Sequence, residues 1–241
     1  MATPRILASS GGFIASDRWA VMEPGGIIRE LLRLTGKERP RLTFVMTASG
    51  DDRSYLTRSY SAFRGWSIDL AHLELFSQPN TDPRDLLLNS DAVWVGGGSV
   101  ANLLAVWRVH QLHEIFAEAW AEGVVLGGVS AGSICWHVGG TTDSFGPKLE
   151  PVDNGLALLP YGNGVHYDNE EQRRPLLHEI VKQGKLPVSY ATDDGIGILY
   201  EGTTPVSVIA DRAETEAAAY RVEKSWDQVI ETRLPPGAIR D

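Results

Sequence analysis

The sequence contains very little cysteine. Among its 241 residues there is one, Cys135, so no disulfide can form within the chain. A single cysteine also excludes the paired CxxC motifs and the Cys/His arrays that bind structural zinc. We therefore expect neither a metal nor another cofactor.

The chain also lacks blocks of positive charge and long apolar runs. Its formal net charge is −9 at pH 7, whereas proteins that bind nucleic acid need a basic face. No apolar run approaches the roughly 20 residues that a membrane-spanning helix requires. The first residues, MATPRILASSGG, lack the charged-then-apolar pattern of a signal peptide. We therefore expect a cytoplasmic protein that binds neither nucleic acid nor membranes, with one domain over residues 1–241.

Short apolar runs alternate along the chain with helical patterns. The strands expected from these runs include Arg5–Ser9, His72–Phe76 and Asp91–Gly98, and the expected helices include Gly26–Leu34, Val100–Glu122 and Glu170–Lys182. Repeated β-α units favour an α/β fold with a mostly parallel sheet and helices on both faces. In such sheets the binding sites lie beyond the carboxyl ends of the strands. Two glycine clusters, Gly96–Gly98 and Gly127–Gly132, fall at expected strand ends, and Gly139–Pro147 is expected to be a connection.

The second glycine cluster contains a serine in the pattern of a nucleophile elbow. Gly128-Val129-Ser130-Ala131-Gly132 fits G-x-S-x-G and stands between an apolar strand and a helical pattern. A tight strand-to-helix turn projects the serine hydroxyl above the sheet, and the positive end of the helix suits a developing oxyanion. The alternative is that Ser130 simply caps a helix in a glycine-rich turn. The flanking strand and helix favour the nucleophile.

A serine hydroxyl needs a base to accept its proton, and His166 is the histidine best placed for this role. It stands at the end of a short apolar run in GNGVHYDN, where a parallel sheet places its site residues. His110, His113 and His178 fall within helical patterns. No histidine follows His178, which excludes the α/β-hydrolase order of serine, acid and late histidine.

A third group should hold the imidazole ring, and several aspartates are candidates. Asp168 follows His166 by only two residues and is the less favoured candidate. Asp143 lies in GTTDSFG, and Asp193 and Asp194 follow an expected strand. Spacing does not separate Asp143 from Asp194.

Together these motifs resemble the peptidase E family of serine peptidases, which includes aspartyl dipeptidases and is related to the cyanophycinases. The stretches that carry the resemblance occur in family order over most of the chain: ILASSGG, VWVGGGSVANLL, LGGVSAGSICW, GTTDS, GNGVHYD and DDGIGIL. The resemblance implies a class I glutamine-amidotransferase-like α/β fold with a serine where relatives of that fold carry cysteine at the elbow. The roles that it implies are the nucleophile for Ser130, the base for His166, the acid for Asp194 with Asp143 as its rival, and the oxyanion hole for the N–H groups of Gly98 and Ala131.

One position departs from the aspartyl dipeptidases of this family. There, an arginine just ahead of a Glu-Gln-Arg segment holds the aspartate side chain of the substrate, whereas this chain has Glu170 in NEEQRR. A carboxylate repels an acidic side chain, so a strict preference for N-terminal aspartate is not expected, and Arg173 or Arg174 is the substitute cation considered. The resemblance implies a serine peptidase acting on a small peptide, with a homodimer considered as its assembly. A cyanophycin-like substrate and a binding protein without catalysis are the alternatives.

Overall fold

The computed structural model describes residues 3–239 as an α/β protein with two mixed β-sheets and one separate hairpin. The strands of the seven-stranded sheet are, in spatial order, β13 (Thr204–Ala210), β12 (Ile196–Glu201), β1 (Arg5–Ser9), β7 (Val125–Val129), β6 (Ala92–Val95), β4 (Arg41–Val45) and β5 (Asp69–Leu73). Those of the six-stranded sheet are β15 (Gln228–Leu234), β14 (Ala219–Ser225), β11 (Ser189–Thr192), β10 (Gly162–Gly164), β8 (Gly139–Thr142) and β9 (Glu150–Val152). The hairpin consists of β2 (Phe13–Ala15) and β3 (Met22–Pro24). The helices are α1 (Gly26–Leu34), α2 (Arg53–Ser61), α3 (Pro83–Leu88), α4 (Val100–Val109), α5 (Leu112–Glu122), α6 (Ala131–Ile134) and α7 (Arg173–Lys182).

Hydrophobic clusters cover both faces of the larger sheet. Successive side chains of a strand point to opposite sides, so that one strand contributes to both clusters. In β1, Leu7 joins one hydrophobic cluster, whereas Ile6 and Ala8 join another. Helix α1 supplies apolar side chains to the first cluster, and α4 and α5 supply Trp107 and Phe116 to the second. Helix α7 packs against the smaller sheet. No helix within residues 3–239 is long and apolar enough to cross a membrane.

The larger sheet is mostly parallel, as expected, because β1, β7, β6, β4 and β5 pair in parallel, whereas β12 and β13 are antiparallel. The structure corrects the expectation of one sheet, because a second sheet with mixed pairing is present. Segment Gly139–Pro147, expected as a connection, begins with strand β8 of the smaller sheet. Strands β8, β10 and β11 pair in parallel. By contrast, β12 pairs with β13 and β14 pairs with β15 in antiparallel hairpins, because short turns permit only antiparallel pairing, whereas parallel pairing needs a long crossover.

Two helical segments differ from the sequence-based expectation. The pattern Val100–Glu122 is divided into α4 and α5, because Gln111 has a φ of +55°, in the left-handed region that does not continue a right-handed helix. The helix after Ser130 is a single turn, after which the chain enters β8. A single turn has a small aligned dipole. An anion at this segment would therefore be bound by the free N–H groups of the first turn, and the dipole of so short a helix would contribute little.

Gly128 and Gly132 are required by a close approach of backbones around Ser130. A Cβ atom at Gly128 would lie 2.2 Å from the carbonyl oxygen of Gly132, and one at Gly132 would lie 2.3 Å from that of Val95. Contacts this short force backbone to move, since Cβ atoms essentially never approach another heavy atom to within 3.0 Å. This packing is the physical reason for both glycines of the G-x-S-x-G pattern in this chain.

His137, which follows α6, is fully buried and is held in its neutral form. Its Nδ1 lies 2.9 Å from the carbonyl oxygen of Ser133, and its Nε2 has no hydrogen-bond partner among residues 3–239. Burial lowers the pKa of His137 from 6.5 to about 4, against a smaller opposing effect of the bond to Ser133. The folded protein therefore resists protonation of a group that is readily protonated after unfolding.

We expect His137 to make the protein less stable as the pH falls from about 6.5 to about 4, because over this range the unfolded chain binds a proton that the folded chain does not. The loss would amount to about 3 kcal/mol at the low end. His137→Leu should flatten the dependence of the unfolding free energy on pH in this window, measured by urea unfolding followed by tryptophan fluorescence. The exposed His113, replaced in the same way, is the matched control. An unchanged slope in His137→Leu would contradict the prediction.

Candidate active site

Ser130 lies at the carboxyl end of β7 with a strained backbone. Its φ is 57° and its ψ is −114°, a combination that costs a non-glycine residue roughly 1–3 kcal/mol. Its N–H donates to the carbonyl oxygen of Ser9 at the end of the neighbouring strand β1, at 2.9 Å. The Ser130 hydroxyl makes no hydrogen bond within the part of the chain that the structure describes, and the residue is only partly buried. The hydroxyl is therefore available to another molecule.

Two backbone N–H groups beside Ser130 have no acceptor in residues 3–239. Ala131 is the first residue of α6, and the first N–H groups of a helix have no intrahelical partner. Gly98 follows β6, has a φ of +136°, and its N–H also makes no hydrogen bond to the described residues. The adjacent Gly97 lies against the serine, since a Cβ atom there would be 3.3 Å from Ser130 Cβ. Unpaired amides at such positions can bind a negatively charged oxygen.

His166 and Asp194 form the closest polar contact of the site. His166 Nδ1 lies 2.5 Å from Asp194 Oδ1, and the second carboxylate oxygen accepts from Asn169 Nδ2 at 3.0 Å. The bond to His166 is the main cause that lowers the pKa of Asp194, with Asn169 and Arg173 acting in the same direction. An ionised carboxylate can only accept, so Nδ1 carries the proton and Nε2 has the free lone pair. Nε2 makes no hydrogen bond to the residues described here, and the ring can accept a proton at that atom.

Ser9 and Ser10 place the backbones of Ser130 and His166 at the same edge of the molecule. Ser9 accepts from the Ser130 N–H, as described above, and Ser10 Oγ accepts from the His166 N–H at 3.0 Å. Ser10 Oγ also donates to the carbonyl oxygen of Thr192 at 3.0 Å and lies 2.7 Å from the Thr192 hydroxyl. Thr192 ends strand β11 and precedes the segment that carries Asp194. Within residues 3–239, no direct hydrogen bond joins Ser130 Oγ to the His166 ring.

Three aspartates other than Asp194 were candidates for holding His166, and they occupy different positions. Asp143 is exposed beyond β8, and within residues 3–239 its carboxylate makes no hydrogen bond. Asp168 accepts from the Asp194 N–H at 2.9 Å and so supports the backbone of that residue. Asp193 turns inward, where its carboxylate accepts from the N–H of Ala218 at 2.9 Å. The adjacent Asp193 and Asp194 therefore face different environments.

The residues expected to hold a substrate side chain are engaged with other protein groups. Arg173 is buried and binds both carboxylate oxygens of Glu170, each at 2.9 Å. Its remaining terminal nitrogen donates to the carbonyl oxygen of Thr141 at 2.9 Å. Arg174 is paired with Glu231 and lies over the ring of Tyr167. Neither arginine is therefore a free cation facing a substrate.

Sequence reasoning did not identify Ser10 or Asn169 as parts of this site. Ser10 lies in ILASSGG, a stretch that carries the resemblance, and Asn169 directly follows another such stretch, GNGVHYD. A small polar residue at a strand end, and an amide three residues after the histidine, are the local signals available. Their partners are 182 and 25 residues away in the chain, so the contacts themselves follow only from the tertiary structure.

A cavity of about 540 Å³ adjoins the site and is lined by Ser10, Val129, His166 and Asp194 among others. It is large enough for a small ligand. Residues 3–239 hold no group of three or more His, Cys, Asp or Glu side chains arranged to bind a metal ion.

Comparison with known proteins identifies related sequences and a related fold. Residues 6–208 match the model of the family described as Peptidase family S51. The chain is 36% identical over 233 residues to the Uncharacterized peptidase YgaJ of Bacillus subtilis (strain 168), covering 96% of this chain and 97% of that protein. It is 29% identical over 157 residues to a Peptidase E of Streptomyces coelicolor, covering 61% and 63% of the two chains. The fold is similar to that in the crystal structure of a peptidase from an acI-B1 Actinobacterium, with a TM-score of 0.70 and 12% identity over 98% of this chain and 95% of that one. At that identity the likeness concerns the fold alone.

We expect Ser10→Ala to destabilise the protein by about 1–3 kcal/mol, because the buried Thr192 hydroxyl and the His166 N–H would lose their partner. Urea unfolding followed by tryptophan fluorescence measures the change. Ser61→Ala, which removes an exposed hydroxyl from α2, should alter the unfolding free energy by less than about 0.5 kcal/mol. Equal changes in the unfolding free energy for the two substitutions would contradict the stabilising role of the Ser10 hydroxyl.

Proposed function

The chain belongs to peptidase family S51 and is thus a serine-type peptidase, and we propose that it hydrolyses short peptides through a Ser130–His166–Asp194 triad and an acyl-enzyme. The family match confirms the resemblance drawn from the motifs. The proposal extends to a glutamine-amidotransferase-like architecture with Ser130 at a nucleophile elbow. The observation that carries it is the His166–Asp194 hydrogen bond, at the edge where the backbones of Ser130 and His166 bind Ser9, the last residue of β1, and Ser10, which follows it.

In the proposed reaction, His166 Nε2 takes the proton of the Ser130 hydroxyl as Oγ attacks the scissile carbonyl carbon. The N–H groups of Gly98 and Ala131 bind the oxyanion of the tetrahedral intermediate. The imidazolium, stabilised by Asp194, then gives its proton to the leaving amine as the C–N bond breaks. A water molecule, deprotonated by His166, hydrolyses the resulting ester and restores the serine.

The backbone around Ser130 supports its role as the nucleophile. A serine in a helix cap adopts an ordinary extended conformation with φ below zero, whereas Ser130 has a φ of 57° and no side-chain capping bond. Strained residues persist where the surrounding structure holds them and concentrate at active sites. Hydrogen bonds from serine to base are also often long in proteins without a substrate and shorten on binding. A gap between Ser130 and His166 is therefore compatible with the triad.

A different amide substrate, such as a fragment of a cyanophycin-like polymer, is the second candidate. Glu170 favours it, since it stands where the aspartyl dipeptidases of the resemblance carry a substrate-binding arginine, and it is paired with Arg173. The same triad would serve either substrate. Efficient turnover of ordinary dipeptides would decide against the polymer.

Ser130→Ala should abolish labelling by a fluorophosphonate probe and the cleavage of dipeptides, because the attacking oxygen is lost. Mass spectrometry of the labelled protein locates the modified residue, and a dipeptide panel measures turnover. Ser133→Ala, on the same turn but bonded to Asn163, is the control for the probe and should remain labelled at residue 130. Wild-type protein that is neither labelled nor active would indicate a binding protein without catalysis.

Asp194→Asn should lower kcat by about 10³- to 10⁴-fold, because an amide no longer holds the histidine in the tautomer with a free Nε2 or stabilises its positive form. Asp143→Asn should lower kcat by less than about 10-fold, since that carboxylate is exposed and makes no hydrogen bond within residues 3–239. Steady-state kinetics on one dipeptide compares the two variants, with circular dichroism as a check on folding. A larger loss of kcat in Asp143→Asn than in Asp194→Asn would show that Asp143 is the acid that holds His166.

A further inference from the structure

The cavity beside Ser130 has an apolar wall built from several separate elements. The hairpin supplies Phe13, Ile14 and Met22, helix α2 supplies Tyr55, and strand β7 supplies Val129. Val129 immediately precedes the proposed nucleophile, and the ring of Tyr55 lies against Gly96, which follows β6. A side chain next to the scissile bond of a bound peptide would therefore meet apolar surface.

Core packing holds this wall in place. The ring of Phe13 packs edge-on against Phe63 and Trp94, with centroids 6.1 and 6.4 Å apart. Both of these rings belong to the buried cluster beneath the larger sheet. Phe13, and with it this part of the apolar wall, is therefore held in place by the core.

The carboxylates that line the cavity are already bonded to protein groups. Asp194 holds His166, as described above. Asp211 accepts from the N–H of Gly12 at 2.7 Å and from that of Ile27 at 3.1 Å, and so caps the start of α1. Burial raises the pKa of Asp211, whereas these two bonds and the charge of Arg212 act in the opposite direction.

Arg212 is the cation among the residues that line this cavity. It is exposed, and within residues 3–239 it forms neither an ion pair nor a side-chain hydrogen bond. Its guanidinium can bind a carboxylate through two parallel hydrogen bonds. The cavity thus combines an apolar wall with one free positive group.

We infer that the substrate is a short peptide with an apolar side chain beside the scissile bond, bound against Phe13, Ile14, Met22 and Tyr55, and with a free terminal carboxylate bound by Arg212. This inference rests on the proposed function and specifies its substrate class. An acidic side chain placed against Phe13, Ile14 and Met22 would lose its hydration without gaining a partner from these three residues. This wall therefore selects against the acidic residue that the aspartyl dipeptidases accept, whereas Arg212 is assigned to the terminal carboxylate.

The test is a panel of dipeptides in which Leu, Met, Phe, Ala or Asp occupies either position, each as the free acid and as the C-terminal amide. We expect kcat/KM for the best apolar peptide to exceed that of its Asp counterpart by about 10- to 100-fold. Met22→Gln, which keeps the length of the side chain, should reduce this preference. Equal or better cleavage of the Asp peptides at both positions would overturn the apolar pocket.

Arg212 is tested by the difference between free acids and amides. In the wild type, amidation should raise KM about 10-fold; in Arg212→Gln the free acid should already show the higher KM, and Arg212→Lys should restore part of the difference. Arg64→Gln, an exposed arginine outside this cavity, is the matched control. Acids and amides that bind equally well to the wild type would overturn the role of Arg212.

Protection of Ser130 from fluorophosphonate labelling separates this inference from the proposed function. The same peptides, added as competitors, report binding whether or not they are cleaved, and apolar free acids should protect best. Absence of labelling would contradict the proposed function itself. Normal labelling with no protection, or with best protection by acidic peptides, would overturn only the inferred substrate class.

Discussion

One buried hydroxyl group, that of Ser10, joins the segments on which the candidate site depends. It bonds to both the carbonyl and the hydroxyl of Thr192 and accepts from the N–H of His166. Its neighbour Ser9 accepts from the N–H of Ser130. In a buried setting such bonds are electrostatically strong, and a missing partner is costly. Ser9, at the end of β1, and Ser10, which follows it, therefore fix the relative positions of Ser130 and His166, although neither Ser9 nor Ser10 has a part in the proposed chemistry.

The adjacent carboxylates of Asp193 and Asp194 have pKa values that are shifted in opposite directions by their different surroundings. Burial raises the pKa of Asp193, whose carboxylate accepts from Ala218 N–H and from the hydroxyl of Tyr220. The hydrogen bond from His166 lowers the pKa of Asp194, which is partly exposed. The first carboxylate anchors the turn to strand β14, and this anchoring directs the second toward the histidine. A structural carboxylate, that of Asp193, thus supports the carboxylate that is bonded to His166.

Local patterns predicted the elements whose own sequence carries a clear apolar run or an amphipathic stripe. Strand Arg5–Ser9 and helix Gly26–Leu34 have the predicted bounds, because an apolar run and a regular helical stripe mark them clearly. The strand expected at His72–Phe76 instead occupies Asp69–Leu73, since its register is set by parallel pairing with β4. Strands β14 and β15 were missed, because their polar side chains conceal a pairing that depends on the rest of the smaller sheet.

The sequence by itself determined the serine between glycines, the order of serine before histidine and the set of candidate acids, since these are properties of short segments. The tertiary structure decided which aspartate meets His166, that Arg173 and Arg174 are paired with glutamates, and that Arg212 lines the cavity without an ion pair to residues 3–239. Those outcomes depend on contacts between residues far apart in the chain, such as the bond from His166 to Asp194 across 28 positions. Spacing along a chain carries no information on how two sheets meet, and it is at their junction that the site forms.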